Sequence, residues 1–327
     1  MILPTLKDIE SAAKIVYETM PATPQYSWPL LNTLMGCETW VKHENHTPVG
    51  AFKLRGGLVY FSHLSQLPNK PLGVVSATRG NHGQSVGLAA AKYQIPATIV
   101  VPKGNSVEKN SAMKALGVEL IEMGEDFQES LEYAQQLAEQ RDWHLVPSFD
   151  RQLLSGVSSY CLELLNAVEA LDKVYVPIGL GSGICSMIAT RNALNLKTQI
   201  IGVVSTKARA YAESFLQGHK VESPVSTKIA DGMACRTPNQ EALEIILQGV
   251  DHVVEVSDEE VCAAIEAIYQ CTHNLSEGAG AAATAAALQE KALNKNKKIA
   301  VVLTGGNIDQ SLFQQVLSHD PQFNELN

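Results

Sequence analysis

The sequence predicts an α/β fold, because short apolar runs alternate with helical stretches along most of the chain. Strands that are apolar on both faces and alternate with helices are typical of parallel sheets covered by helices. The pattern occurs in two series, at residues 72–146 and after Pro147. Glycine-rich segments follow several of the apolar runs, where open parallel sheets bind their ligands.

The N-terminal part of the chain precedes both series. Residues 6–19 form an amphipathic stretch and lead into a proline-rich segment, which together predict a packed arm. A short strand is predicted at residues 39–43, after which the segment at residues 46–57 opens a helix that runs to about residue 64.

The two series supply the remaining elements. In the first series, strands are predicted at residues 73–76, 98–101 and 118–121, and helices at residues 81–93, 106–116 and 127–141. In the second series, strands are predicted at residues 174–178, 199–204 and 299–304, and helices at residues 152–170 and 278–288. Ser257 and Glu260 predict the capping box of a further helix. Its core face would carry Val261, Ala264, Ile265, Ile268 and Tyr269. The small-residue run at 278–288 suits a helix packed closely against another backbone.

We expect a large domain of residues 1–72 and 147–327 and a small domain of residues 73–146.

Composition favours a protein that binds small molecules. With 327 residues and 45% hydrophobic content, the chain can bury a large core. The net charge of −9 disfavours a broad nucleic-acid surface. The six cysteines form no C-x-x-C pair, so we expect neither a zinc site nor disulfides, and a cytoplasmic location. We also expect neither export nor membrane insertion, because no apolar run suits a signal or a span.

The segment at residues 46–57 carries the candidate nucleophile, Lys53. Pro48 and Gly50 break any earlier helix, while Phe52 and Leu54 supply apolar contacts that would hold Lys53 in one direction. A desolvated lysine loses its proton readily and can attack a carbonyl, including the aldehyde of pyridoxal phosphate. A lone lysine is more often a surface residue whose stem packs on apolar side chains. The hypothesis therefore depends on glycine-rich loops at the same sheet edge.

Three such loops follow predicted strands. At residues 76–84, the helix beginning near Asn81 directs free N–H groups towards an anion such as a substrate carboxylate. Residues 179–183 lie between a strand and a helix, which is the arrangement that holds a phosphate on backbone amides. This loop is G-x-G-x-G rather than G-x-G-x-x-G, and no G-K-[ST] follows it, which disfavours a dinucleotide site and a Walker loop. Residues 304–307 close the last predicted strand.

These motifs together resemble the fold type II pyridoxal-phosphate enzymes, specifically the serine/threonine dehydratase and serine racemase family. The resemblance covers nearly the whole chain and is carried by residues 50–56, 80–83, 179–183, 229–232, 276–280 and 304–307. It implies two open, twisted, mostly parallel sheets flanked by helices. The expected assembly is a homodimer, and the expected ligands are pyridoxal phosphate and an amino-acid substrate.

The resemblance also assigns roles to residues. Lys53 would be the Schiff-base lysine, and its freed amine would be the base for the substrate's α-proton. Thr304 would offer its hydroxyl to the pyridine nitrogen, Asn81 would bond the phenolic oxygen, and Glu277 would lie near the cofactor. The full cofactor-binding set would be Phe52, Lys53, Asn81, Gly179, Leu180, Gly181, Ser182, Gly183, Glu277 and Thr304. The substrate-binding set would be Thr78, Arg79, Gly80, Asn81 and His82.

Arg79 is the main departure from the family. Serine racemases carry at this position a serine that serves the second face of the α-carbon, and a permanently protonated guanidinium cannot take that role. Racemisation is therefore disfavoured, whereas dehydration is not. We count Arg79 with Lys53 among the candidate catalytic residues and hold two interpretations equal. Arg79 either pairs with a second carboxylate on the substrate or pairs with an acid of the wall.

The expected function is that of a pyridoxal-phosphate-dependent ammonia-lyase. It would eliminate water from L-threonine or L-serine and give a 2-oxo acid and ammonia. The alternatives are the same chemistry on 3-hydroxyaspartate and a non-catalytic protein that keeps the cofactor. No divalent metal site is expected, because residues 203–208 lack the Glu of metal-dependent relatives. His82 could be only structural, and Glu277 could only cap the following helix.

Overall fold

The computed structural model describes residues 1–318, which form alternating helices and strands. The helices, numbered in chain order, are α1 Leu6–Tyr17, α2 Pro29–Met35, α3 Lys53–Ser65, α4 Asn81–Lys92, α5 Val107–Ala115, α6 Phe127–Arg141, α7 Arg151–Ala167, α8 Ser182–Ala193, α9 Ala210–Gln217, α10 Gln240–Gly249, α11 Asp258–Thr272, α12 Gly278–Gln289 and α13 Gln310–Ser318. The strands are β1 Gln25–Ser27, β2 Glu38–His43, β3 Val74–Ala77, β4 Ala97–Val101, β5 Glu119–Glu122, β6 His144–Leu145, β7 Lys173–Pro177, β8 Gln199–Ser205, β9 His252–Val256 and β10 Lys298–Leu303.

The strands form two sheets. The larger sheet has six strands in the order β1-β2-β10-β7-β8-β9, and the smaller has four in the order β5-β4-β3-β6. β1 runs antiparallel to β2, and the other pairs are parallel. The predicted α/β fold with two mostly parallel sheets is confirmed. The domain bounds drawn from the sequence remain a prediction, although the smaller sheet uses strands from residues 74–145 alone.

The proline-rich segment holds two elements that the sequence reasoning missed, β1 and α2. Pro29 is the first residue of α2, where a missing N–H costs nothing because that group has no partner inside the helix. Gly36 ends the helix with a φ of 71°, in the left-handed region that glycine tolerates. The prolines therefore mark the start of a helix and do not exclude one.

Helix α11 begins with the predicted capping box. The Ser257 hydroxyl accepts a hydrogen bond from the Glu260 N–H at 3.2 Å, and the Glu260 carboxylate accepts one from the Ser257 N–H at 2.7 Å. Of the predicted core face, Val261, Ala264, Ile265 and Ile268 are buried. The placement of Tyr269 in the core is wrong, because its side chain is 41% exposed. Its ring lies at the edge of the apolar face and contacts the Phe313 ring edge-on at 5.7 Å.

Helix α12 is the small-residue helix, and it is buried between α11 and the larger sheet. A Cβ atom at Gly278 would lie 2.1 Å from the carbonyl oxygen of Ile229, so only glycine permits this approach. The predicted close packing against another backbone is confirmed.

Among residues 1–318, the structure contains no helix that combines the length and apolar character needed to cross a bilayer.

Candidate active site

A cavity of about 460 Å³ lies where β3, β7 and β10 end, within the size range of small-molecule sites. All the candidate residues drawn from the sequence line it, namely Phe52, Lys53, Thr78, Arg79, Gly80, Asn81, His82, Gly179, Leu180, Gly181, Ser182, Gly183, Glu277 and Thr304. The structure thus brings these residues together around one space, while their individual roles remain predictions.

Lys53 is the first residue of α3 and points its amine into the cavity. Lys53 Nζ lies 3.4 Å from Ser182 Oγ and 5.0 Å from the centroid of the Phe52 ring. Burial lowers the pKa of Lys53 to about 8, although the carboxylate of Glu277 acts in the opposite direction. A neutral, nucleophilic amine is therefore far more available near neutral pH than on an ordinary lysine.

Two residues further along α3, Arg55 holds the helix in place. Its guanidinium donates to Glu44 Oε2 at 2.7 Å, to Glu163 Oε1 at 2.6 Å and to Ser159 Oγ at 2.9 Å. Burial disfavours the charge of Arg55, but the carboxylates of Glu44 and Glu163 raise its pKa. Lys42 Nζ adds a 2.5 Å contact to Glu163 Oε2. We call Lys42, Glu44, Arg55 and Glu163 the anchor cluster.

The glycines after Lys53 allow α3 to meet its neighbours at backbone distance. A Cβ atom at Gly56 would lie 2.8 Å from the carbonyl oxygen of Leu153, and one at Gly57 would lie 2.2 Å from Ser85 Oγ. These contacts and the anchor cluster fix the start of α3, and with it the direction of Lys53.

The glycine loop at residues 179–183 faces the lysine. A Cβ atom at Gly179 would lie 2.3 Å from the carbonyl oxygen of Gly232, and Gly181 has a φ of 100°. The Tyr211 hydroxyl donates to the carbonyl of Leu180 at 3.1 Å. Helix α8 begins at Ser182, so amides without intrahelical partners lie at the cavity. A phosphate fits this loop on the evidence of its amides, its helix start and the neighbouring amine.

The loop between β3 and α4 forms a second anion site. Thr78 Oγ1 accepts hydrogen bonds from the N–H groups of Gly80 at 2.9 Å and Gly83 at 3.3 Å, which fixes the loop. Gly80 has a φ of 154°, and a Cβ atom there would lie 2.4 Å from the stem of Lys109. Helix α4 then begins at Asn81 beside the cavity, and its first amides other than that of Gly83 have no partner inside the helix, as a carboxylate site requires.

Four further polar and charged residues line the cavity and contact one another. We call Asn81, Lys109, Asp231 and Glu277 the cavity cluster. Lys109 Nζ lies 2.6 Å from Asp231 Oδ2 and 3.4 Å from Glu277 Oε2, and Asn81 Nδ2 donates to Glu277 Oε1 at 2.6 Å. Burial raises the pKa of Glu277, and Lys109 opposes this. Burial disfavours the charge of Lys109, but Asp231 and Glu277 raise its pKa.

Sequence reasoning missed Lys109 and Asp231 as site residues. Asp231 lies in the segment 229–232 that carried part of the resemblance, which was the available signal. Lys109 lies in the polar helix α5 and gave no signal, because its partner Asp231 is 122 positions away.

The structure separates the open interpretations of Glu277 and His82. Glu277 is the N-cap residue of α12 but makes no side-chain capping bond, so the interpretation that it only caps this helix is wrong. Burial, together with the nearby charge of Lys53, lowers the pKa of His82 to about 3, in keeping with a structural, neutral histidine. His82 Nε2 is buried without a hydrogen-bonding partner among residues 1–318.

Two other contacts place the predicted cofactor ligands. Asn81 Oδ1 accepts from Asn307 Nδ2 at 2.9 Å, so its amide is oriented, with one N–H used by Glu277 and one left over. The Phe52 N–H donates to the carbonyl of Thr304 at 3.0 Å, which ties the end of β10 to the lysine segment. The Thr304 side chain is buried and lines the cavity.

No group of three or more His, Cys, Asp or Glu side chains is arranged to hold a metal ion in the part of the chain that the structure describes. In the segment 203–208, Lys207 Nζ lies 3.4 Å from Asp258 Oδ2.

Three features meet at one edge of this α/β fold. They are a fixed lysine that loses its proton easily, a loop whose amides can bind a phosphate, and a second set of amides that can bind a carboxylate. This combination defines an enzyme that works through a phosphorylated aldehyde cofactor.

Comparison with known proteins gives the particular family. The pattern of the family described as pyridoxal-phosphate dependent enzyme matches residues 17–305. The L-threonine ammonia-lyase of Thermotoga maritima is 32% identical over 315 residues, covering 96% of this chain and 78% of that protein. The catabolic L-threonine dehydratase of Staphylococcus aureus is 32% identical over 320 residues, covering 96% and 92%. The solved structure of maize serine racemase superposes with a TM-score of 0.88 at 26% identity, covering 99% of this chain and 100% of that one. The chain belongs to the pyridoxal-phosphate-dependent enzymes, and its cofactor is pyridoxal phosphate.

Proposed function

We propose that this enzyme is an ammonia-lyase that eliminates water from a 3-hydroxy amino acid of the L-threonine or L-serine type, giving a 2-oxo acid and ammonia. The observation that carries the proposal is the position of the Lys53 amine. It lies 3.4 Å from Ser182, at the start of the phosphate loop, and in the same cavity as the carboxylate site at Asn81. Two relatives that are each 32% identical are named for this reaction on L-threonine.

The residues of the cavity divide the work by charge. The amides at the start of α4 would bind the substrate's α-carboxylate, and residues 179–183 would bind the cofactor phosphate. Thr304 would meet the pyridine nitrogen with a neutral hydroxyl. Bound there, pyridoxal phosphate supplies the electron sink for the substrate's α-carbon.

Lys53 would also move the proton. With a pKa of about 8, its amine can accept a proton from the α-carbon and release it again near neutral pH. Glu277 and Phe52 would hold the amine in position, because Glu277 interacts with its charge and the Phe52 ring lies 5.0 Å from Nζ.

Elimination is favoured over racemisation by Arg79. Racemisation needs a group on the opposite face of the α-carbon that gives up and takes back a proton. The guanidinium of Arg79 stays charged and does neither. The single base at Lys53 suffices for elimination.

We further propose the assembly and the domain division expected from the sequence. The large domain would be residues 1–72 and 147–327, the small domain residues 73–146, and the enzyme a homodimer in the cytoplasm. The ion pair between Lys109 and Asp231 would then join the two domains. Light scattering on the purified holoenzyme would give twice the mass of the 35.3 kDa chain, and a monomer mass would contradict the dimer.

Ammonia release tests the proposed reaction. The holoenzyme is offered L-threonine, L-serine, their D-isomers and 3-hydroxyaspartate, and ammonia and 2-oxo acid are measured. We expect equal amounts of both products from at least one L-substrate. If no substrate releases ammonia while the cofactor is bound, the alternative of a non-catalytic cofactor-binding protein is supported instead.

A further inference from the structure

Arg79 carries a positive charge that no ion pair within residues 1–318 neutralises. It lines the active-site cavity, and its Nε is buried. Among residues 1–318, that Nε has no hydrogen-bonding partner and no carboxylate pairs with the guanidinium. The interpretation in which Arg79 turns to an acid of the wall is therefore wrong.

The acids that line the same cavity have other partners. Asp231 lies 2.6 Å from Lys109 Nζ, and Glu277 accepts from Asn81 at 2.6 Å. Asp126 Oδ2 lies 3.5 Å from Arg236 Nη1 and its other oxygen caps α6. Arg55, by contrast, has its charge met by the carboxylates of Glu44 and Glu163. Among residues 1–318 Arg79 thus has no carboxylate partner, and its guanidinium is available to an anion that enters the cavity.

The position of Arg79 limits what that counter-charge is. The neighbouring amides at the start of α4 suit the substrate's α-carboxylate, and Lys53 serves the α-carbon. A group carried beyond the β-carbon is the part of the substrate left for Arg79. The planar guanidinium matches a carboxylate with two parallel hydrogen bonds, whereas the methyl group of threonine offers it nothing.

We propose that Arg79 forms a subsite for a second carboxylate, which extends the 3-hydroxy amino acids that the enzyme accepts to acidic ones with a four-carbon dicarboxylate skeleton. The assignment of 3-hydroxy amino acids as substrates rests on the proposed elimination reaction. The carboxylate subsite itself can be tested by binding, without turnover. Arg79 acts here by binding the substrate and takes no proton.

The test compares Arg79→Gln and Arg79→Ser with a matched control, Arg236→Ser. Arg236 also lines the cavity, but it already pairs with Asp126. In the first arm, calorimetry measures binding of L-malate and L-lactate to each holoenzyme. These two hydroxy acids differ in their second carboxylate and lack the amine needed for reaction. In the second arm, kcat/KM is measured for 3-hydroxyaspartate and for L-threonine.

We expect the wild type and Arg236→Ser to bind L-malate more tightly than L-lactate, and both Arg79 variants to lose at least about 30-fold of that preference. This is the lower end of what a desolvated charge pair contributes. The ratio of kcat/KM for 3-hydroxyaspartate over L-threonine should fall by a similar factor. Circular dichroism confirms that the variants are folded, and Arg79→Gln keeps most of the side-chain volume if Arg79→Ser is poorly folded.

An unchanged malate preference in Arg79→Gln would overturn the subsite, and so would an equal loss in Arg236→Ser. The two proposals fail in different ways. If Arg79 controls malate binding but no amino acid releases ammonia, the proposal of a carboxylate subsite is supported and the proposal of an ammonia-lyase is contradicted. If L-threonine is converted well and Arg79→Gln leaves malate binding unchanged, the lyase stands and the subsite falls.

Discussion

Arg55 and Arg79 lie in two regions of the molecule that treat a positive charge in opposite ways, Arg55 fully buried and Arg79 half-buried at the cavity. In the anchor cluster, the Arg55 guanidinium donates to Glu44, Glu163 and Ser159 at 2.6 to 2.9 Å. In the cavity, the Arg79 guanidinium has no ion pair among the described residues. Both residues are arginines, so the residue type alone does not show which of them has carboxylate partners.

The difference separates charges that hold the structure from charges that await a ligand. A buried ion whose hydrogen bonds are all made adds rigidity, and removing one partner leaves an uncompensated charge that costs about 3–5 kcal/mol. An ion left without partners is destabilising until something binds it, which is tolerated where binding is the function. Lys53 lies between these cases, because its pKa is lowered by burial and its amine is kept ready for reaction.

The largest effect is expected from Lys53→Ala, which removes the reactive group from the cavity. Ammonia release should fall by about 10³-fold or more, because both the covalent attachment and the proton transfer are lost. The visible absorbance of the lysine-linked cofactor should disappear as well. Lys103→Ala is the control, because Lys103 is exposed and its ion pair with Glu125 lies at the surface. Undiminished turnover in Lys53→Ala would show that another group does the chemistry.

The next largest effect concerns stability and falls on the anchor cluster. Glu163→Gln leaves Arg55 and Lys42 short of a carboxylate and should lower the free energy of unfolding by about 3–5 kcal/mol at pH 7, measured with denaturant. The exposed control Glu125→Gln should change it by less than about 0.5 kcal/mol.

The same cluster has a pH signature. Burial alone would raise the pKa of Glu163, but Arg55 and Lys42 lower it below the ordinary value of 4.5. The carboxylate therefore stabilises the fold above pH 4.5, and this contribution is lost as the pH falls through the lowered pKa. The gap between the wild type and Glu163→Gln should shrink in that acidic range. A gap that stays constant there would contradict the ion-pair origin.

The smallest effect tests the coupling inside the cavity. The rate at which cofactor-free protein captures pyridoxal phosphate should rise with pH through about 8, because only the neutral Lys53 amine attacks the aldehyde. Glu277 raises the pKa of Lys53, so Glu277→Gln should move this midpoint to lower pH. Asp126→Asn is the control, since Asp126 faces Arg236 and still caps α6 as an asparagine. An unmoved midpoint in Glu277→Gln would mean that Glu277 carries no charge near Lys53.

Much of this site follows from local sequence, and the rest depends on long-range contacts. Lys53, the loop at residues 179–183 and the helix start at Asn81 are predictable, because apolar runs and glycines mark strand ends. The partners of Lys109 and Arg55 are not, because Asp231 and Glu163 lie 122 and 108 positions away and no pattern links them. The sequence could not show whether Arg79 pairs with an acidic residue of the cavity wall, because such a partner would also lie far away in the sequence. The structure shows no such pair within residues 1–318.

Borohydride reduction of the holoenzyme tests the central claim most directly, namely that Lys53 is the cofactor lysine. Reduction fixes the cofactor to the amine that carries it, and peptide mapping by mass spectrometry then finds the modified residue. We predict the added mass on the peptide that contains Lys53, with loss of the visible absorbance. Lys109 is the other lysine to check, because it lines the same cavity. Modification of Lys109 in place of Lys53 would contradict the assignment.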